Sequence, residues 1–241
     1  MKVETKSVLY GAHCFLIHPF FVAAAWIKLY GFPWDPRIWI AFFVHDLGYW
    51  GKPNMDGPEG ETHPELGAAI MHFLFDWEYE FQTIYRPSTQ LKQDLLNDGW
   101  KPIRRFYQAW GPSFFKRRKR TWRNFTLYHS RFLAKKEGAK PSSLCFADKL
   151  SMCMEPDWLY LPRVRWSGEI EEYMKLAESR NLAGEQQNAF ETAKLATKSQ
   201  RDWRTAVKWY VERWVEEHKD GRDDTWTPAV KKSINAEGVW A

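Results

Sequence analysis

The chain has 241 residues, 44% of them hydrophobic and 17% aromatic with 15 Trp, and it carries a net charge of +5. That balance excludes wholesale disorder and leaves room for one large domain, or one domain plus an appendage, with a real core. The positive excess favours a polyanionic ligand such as a nucleotide or nucleic acid, while Cys14, Cys145 and Cys153, without a CxxC spacing, fit a reducing cytoplasmic setting rather than a disulfide framework.

The opening residues are charged and lead into no small-residue cleavage site, so no secretory signal is expected. Residues 14–30 (CFLIHPFFVAAAWIKLY) form an apolar stretch of about 17 residues, at the bottom of the membrane-spanning range. It contains His18, Pro19 and Lys28, which points to a core helix instead, with Pro19 in its first turn and Gly31 as its stop. Asp35-Pro36 opens a second helix through residue 47 (RIWIAFFVHDL), whose end carries an adjacent imidazole and carboxylate, His45 and Asp46. Such a pair is expensive to bury without a compensating partner. Residues 48–62 (GYWGKPNMDGPEGET) hold four Gly and two Pro and read as a functional loop. Thr62 can cap a helix from His63 to about residue 81.

Residues 86–117 read as short helices with a mobile, basic connection. Next, 116–123 (KRRKRTWR) concentrates positive charge; a solvated helix face is the ordinary use of such a run, and phosphate steering or nucleic-acid contact the sharper one. A helix over 118–136 carries His129, and Ser142 or Ser143 caps another through residues 144–152. Residues 184–219 make a long amphipathic helix or helical pair across the outside of the core. Strand-like alternation is rare and no internal repeat is visible, so the predicted class is all-α.

The ordered set His18, His45-Asp46, His63, His129 and Asp148 on successive helices resembles the HD superfamily of metal-dependent phosphohydrolases. "HPFFVAAA" is similar to the "HPxxVA" opening of its (p)ppGpp hydrolases, "HDLG" resembles the "HDIGK" of its dinuclear members, and "HPELGA" with "YHS" and "ADKL" looks like its dinucleoside tetraphosphate hydrolases. The resemblance covers roughly residues 13–152. It implies an HD-like helical bundle over 1–160, with an irregular basic insertion at about 84–120, and a C-terminal helical extension over 161–241.

By the same resemblance, His18, His45, Asp46 and Asp148 would hold a first divalent ion, and Asp46 would bridge to a second held by His63 and His129. Imidazole and carboxylate suit Mn, Fe, Co, Ni or Zn, one ion or two. Asp46, His63 and His129 would then be the catalytic residues, since paired ions about 3.5–4 Å apart clamp the attacking and leaving oxygens and activate a water. His13 competes with His18 as the first ligand; the "HPxxVA" match and the helix start favour His18. His72 lies nine residues beyond His63, roughly half a turn away around a helix, and reads as structural. His218 sits on a charged helix and is expected at the surface.

Substrate contacts are expected from Lys52, Asn54, Asp56 and Glu59 on the Gly/Pro loop, whose ordinary use is turn chemistry. Ser130 and Arg131 directly follow His129, and Lys149 follows Asp148. Arg131 and Lys149 are candidates to neutralise phosphate, with scaffolding salt bridges the alternative for Lys149. Tyr160 and Arg163 offer a stacking ring and a phosphate fork, beside a core-packing Trp158. Three departures narrow the substrate. "LGYW" replaces the Glu-Asp pair of the (p)ppGpp hydrolases, Tyr49 replaces the lysine of "HDIGK", and no "GYP" signature follows, which counts against cyclic-di-GMP.

The expected function is metal-dependent hydrolysis of a nucleotide or other small phosphate ester through a metal-activated water. The alternatives are an HD-type mixed-valent diiron oxygenase, and a non-catalytic HD protein that binds nucleotide or nucleic acid through 116–123. No membrane partner is expected, and oligomeric assembly is left open.

Overall fold

The protein is described by a computed structural model over residues 2–52, 59–76, 121–182, 199–224 and 226. Ten α-helices occur among these residues, and no strand does, so the fold is all-α. In chain order they are α1 (Val3–Tyr10), α2 (His18–Tyr30), α3 (Pro36–Val44), α4 (Pro64–Phe75), α5 (Trp122–Leu127), α6 (Arg131–Lys136), α7 (Ser143–Met154), α8 (Asp157–Ser167), α9 (Glu169–Leu182) and α10 (Gln200–His218). No helix among the described residues is long and apolar enough to cross a membrane.

Local chemistry sets most of the boundaries. Pro19 and Pro36 occupy first-turn positions, where a missing N–H costs nothing, and the Asp35 carboxylate accepts from the Arg37 N–H. Gly31 ends α2 with a φ of 81°, a conformation that side chains with a Cβ resist. Ser142 Oγ accepts from the Cys145 N–H at the start of α7.

Several expectations need correction. Helix α3 stops at Val44, with His45 as its C-cap, before a short 3₁₀ turn over Leu47–Tyr49. Thr62 does not cap α4; its hydroxyl donates to the Glu59 carbonyl at 2.7 Å, and His63 takes the cap position. The expected helix over 118–136 is two helices. Ser130 Oγ accepts from Leu133 N–H and starts α6 afresh, leaving His129 in the link. His218 is buried, 1% exposed, because its ring stacks on Trp214 one turn back in α10 and is covered by Trp226. Trp158 is 76% exposed rather than packed in the core. Most of the basic run (116–120) and the insertion at about 84–120 lie outside the described residues, as do Asn54, Asp56 and residues 184–198.

The core lies where α2 and α7 pack along each other, closed by α3, α8 and α10. Val22, Ala25, Phe42, Met71, Leu144 and Val164 are wholly buried there. Complete burial of Phe42 or Met71 contributes about 1.5–3 kcal/mol each. Ala25 and Ala147, without side-chain bulk, suit the close α2–α7 contact, while Phe146 stacks on Trp214 at 5.0 Å to hold α10 against α7. All three cysteines are free thiols, in keeping with the absence of a disulfide framework; Cys14 and Cys145 are buried and Cys153 is partly so.

Candidate metal centre

The candidate ligands are delivered by different backbone positions, most of them at helix ends. His18 is the first residue of α2, His45 caps the end of α3 with Asp46 in the turn after it, and His63 caps the start of α4. His129 occupies the α5–α6 link, and Asp148 sits mid-helix in α7. Helix ends free the backbone to aim a side chain inward where a helical repeat would turn it aside.

Two glycines allow these segments to meet. A Cβ on Gly48 would come 1.9 Å from the His63 carbonyl oxygen, and one on Gly67 would come 2.4 Å from the Val44 carbonyl oxygen. Only the bare backbone lets the His45-Asp46 turn lie against α4.

Three of the imidazoles are held in the same way. His45 Nδ1 lies 3.0 Å from the Phe42 carbonyl, His63 Nδ1 2.8 Å from that of Gly60, and His129 Nδ1 2.6 Å from that of Thr126. A carbonyl only accepts, so each Nδ1 carries a proton, and Nε2 is the ring atom left to face the cluster. The Nε2 atoms converge on Asp46. Its Oδ2 lies 3.1 Å from His45 Nε2 and 3.3 Å from His18 Nε2, and its Oδ1 lies 3.2 Å from His129 Nε2 and 3.6 Å from His63 Nε2. Asp148 Oδ1 completes the first side at 3.0 Å from His18 Nε2 and 3.6 Å from His45 Nε2.

These donors fit divalent metal. His63 Nε2 and His129 Nε2 face each other at 3.1 Å, and with both rings neutral and protonated on Nδ1 this sets lone pair toward lone pair, an arrangement a cation between them would stabilise. His45 Nε2 and Asp46 Oδ2 are buried without a hydrogen-bond partner. Ligands held about 2.0–2.2 Å from an ion stand roughly 3–3.5 Å from one another, the spacing seen here. His18, His45, Asp46 and Asp148 form one group able to hold an ion, and Asp46, His63 and His129 another.

The electrostatics divide between the two sides. Burial alone would depress His45, yet Asp46 and Asp148 beside it drive its pKa up to about 10. His18 is likewise raised, its two carboxylate partners overcoming burial. Burial and the neighbouring His129 imidazole hold His63 well below the usual range, and burial lowers His129. Both carboxylates resist the upward push of burial. Asp46 is held far down by His45 and the other imidazoles, and Asp148 by Lys149 and its two histidines. A permanently ionised carboxylate pair with neutral imidazoles opposite is a donor set ready for a cation.

Other predicted site residues fall in several places. Lys149 Nζ is 2.8 Å from Asp148 Oδ2, at the edge of the cluster. Lys52 reaches the Thr62 hydroxyl beside His63. Arg131 is engaged by the C-terminal region, bonded to Tyr210 at 2.9 Å and Asp224 at 3.2 Å and lying over Trp214. Arg163 pairs with Glu155 and donates to the Gly11 carbonyl at 2.8 Å. Tyr160 is buried against the Arg204 guanidinium, 3.6 Å from its ring centre. His72 is partnered by Asp76 at 3.3 Å and stays outside the cluster.

Two neighbours were not foreseen in these roles. Tyr49 stacks on His63 at 3.8 Å with the rings 11° apart, and His13 lies against Tyr49 at 4.8 Å with its Nε2 4.0 Å from Asp46. The sequence signalled Tyr49 only as a departure from a lysine, and His13 only as a rival first ligand. No protein-family model matches the chain, and comparison with curated proteins and with solved structures finds no match.

Proposed function

We propose that this protein is an HD-type metal-dependent phosphohydrolase acting on a nucleotide or another small phosphate ester. The observation that carries the reading is the convergence of three backbone-locked imidazoles, Nε2 inward, on the two oxygens of one buried aspartate. His18, His45, Asp46 and Asp148 would hold one ion, with Asp46 shared toward a second at His63 and His129. Ions bound there supply Lewis acidity toward a phosphoryl oxygen and a water acidic enough to attack phosphorus near neutral pH.

The chain's own groups do the rest. Lys149, tied to Asp148, places positive charge where a substrate phosphate approaches. Tyr49 fixes the His63 ring by stacking on it and shields one face of that ring from water. Nucleophilic catalysis by Cys145 is disfavoured, because burial pushes its thiol up to about 12.

The test is a phosphate-release screen across nucleotides with Mn, Co or Ni under anaerobic conditions, comparing wild type with Asp46→Ala. Metal-dependent release by the wild type alone is expected, with an unchanged helical circular-dichroism spectrum in the variant. Full activity in Asp46→Ala would sink the assignment, and turnover that requires iron and O₂ would replace it with an oxygenase.

A further inference from the structure

The two sides of the cluster rest on unequal supports. His18, His45 and Asp148 stand on α2, the end of α3 and α7, which form the main core. His129 is carried between α5 and α6, six residues each. Helices of that length do not hold themselves in water, so their geometry comes from what they pack on. Two of the six residues of α6 are buried, Leu133 and Ala134. Leu133 shares a small cluster with Leu127 of α5 and with Ala68, on the helix that His63 caps. Helix α6 also lies against the Gly60–Thr62 turn, whose Gly60 carbonyl holds His63 Nδ1. It therefore touches the supports of both His63 and His129.

The other side of α6 is held by charge. Arg131 and Lys135, one turn apart, both reach the chain beyond α10. Asp224 Oδ2 accepts from Arg131 Nε at 3.2 Å, and the Asp224 carbonyl accepts from Lys135 Nζ at 2.8 Å. Asp224 is buried, and its Oδ1 accepts from Trp214 Nε1 at 3.0 Å and from the Trp226 N–H at 3.1 Å. One carboxylate thus grips α10 with its first oxygen and α6 with its second.

We propose that Asp224 is a positioning residue for the second ion: through Arg131 it seats α6, and α6 sets His129 and the turn behind His63. The ion rests on the metal-centre reading; the seating of α6 does not. Ligand shells tolerate little slack, and loss of an outer contact that orients a ligand costs about 10–100-fold in metal affinity.

Asp224→Asn isolates the link. Its amide oxygen can keep the Trp214 and Trp226 donors, which leaves an NH2 group facing the Arg131 Nε–H, donor against donor. Calorimetric titration with Mn should show one ion weakened about tenfold or more and the other unchanged. At a Mn concentration that fills both sites of wild type, the paramagnetic-resonance spectrum of a coupled pair should give way to the six lines of an isolated ion. Adding Arg131→Gln, whose amide oxygen takes the place of Nε, gives the new NH2 group an acceptor and should restore the second ion. Lys135→Ala removes the other tie without stranding a buried charge, and should show the same selective loss at smaller size. Equal weakening of both ions, no weakening of either, or no recovery in the double variant would overturn the proposal.

Amide exchange in the metal-free proteins tests the seating alone. In Asp224→Asn and Lys135→Ala, protection should fall at Ala134 and Glu137 in α6 and at His63, while α2 and α7 keep theirs. Unchanged protection at either segment overturns the proposal whatever the metal does. A wild type that takes up no metal overturns the proposed function instead.

Discussion

Asp46 is where the two sides of the cluster meet, Oδ2 toward His18 and His45 and Oδ1 toward His63 and His129. Histidines held by backbone carbonyls cannot swing away when a neighbour is lost, so the two sides should separate cleanly under mutation. His63→Ala is expected to release one ion and retain the other, with phosphate release falling by at least about a hundredfold if paired ions are needed. Metal stoichiometry alongside initial rates checks it, and an unchanged rate would remove the second ion from the mechanism. The candidate ligands were legible in the sequence through the order of His18, His45-Asp46, His63, His129 and Asp148 along the chain, which carried a resemblance that no one of these residues carries alone. The buried surroundings of His13 were not legible. They depend on Ser7 and Glu169, and Glu169 lies 157 positions from Ala12, whose N–H it holds.

The helix ends aim the ligands, so capping and close approach matter more here than helix interiors. Ser130 both starts α6 and ends the link that carries His129. Ser130→Ala should cost about 1 kcal/mol of stability in urea unfolding and weaken metal binding through a looser His129. No change in metal affinity would show that the Thr126 carbonyl alone positions the ring. Gly67→Ala should cost more, about 1–3 kcal/mol, since its Cβ meets backbone on the Val44–His45 side and not a yielding side chain. A variant of wild-type stability would mean that α4 shifts freely against α3. Helix starts at Pro19, Asp35 and Ser142 could be read from residue type because their signals are local. The break at His129 could not, since Ser130 as a cap and Ser130 as a helix residue look alike until the chain turns.

On the scale of the whole molecule, the C-terminal helices are fastened to the site region by buried charge. Arg131 joins Asp224, Tyr210 and Trp214, and Arg204 reaches the Met152 and Glu155 carbonyls at the α7–α8 junction. These contacts gather residues far apart in the chain, so the sequence offered Arg131 as a phosphate ligand with nothing local to argue otherwise. Glu169 gives the assembly a pH signature. Burial raises its carboxyl from 4.5 to about 7, against the hydrogen bonds from Ser167, Ser7 and Ala12. The folded state therefore holds the proton more tightly than the unfolded one, and the residue's contribution to stability declines as pH rises from about 4.5 to about 7. Relative to wild type, Glu169→Gln should gain up to roughly 3 kcal/mol across that window, measured by denaturant unfolding at both ends. A flat difference would contradict the burial of an ionisable group there.

A helical bundle organised around bound metal should hold that metal through purification, whatever the substrate. After incubation with Mn and removal of free ion, wild type should retain about two ions per chain, and Asp46→Ala none, at matching helical content. A metal-free wild type, or equal stoichiometry in the two proteins, would contradict the account.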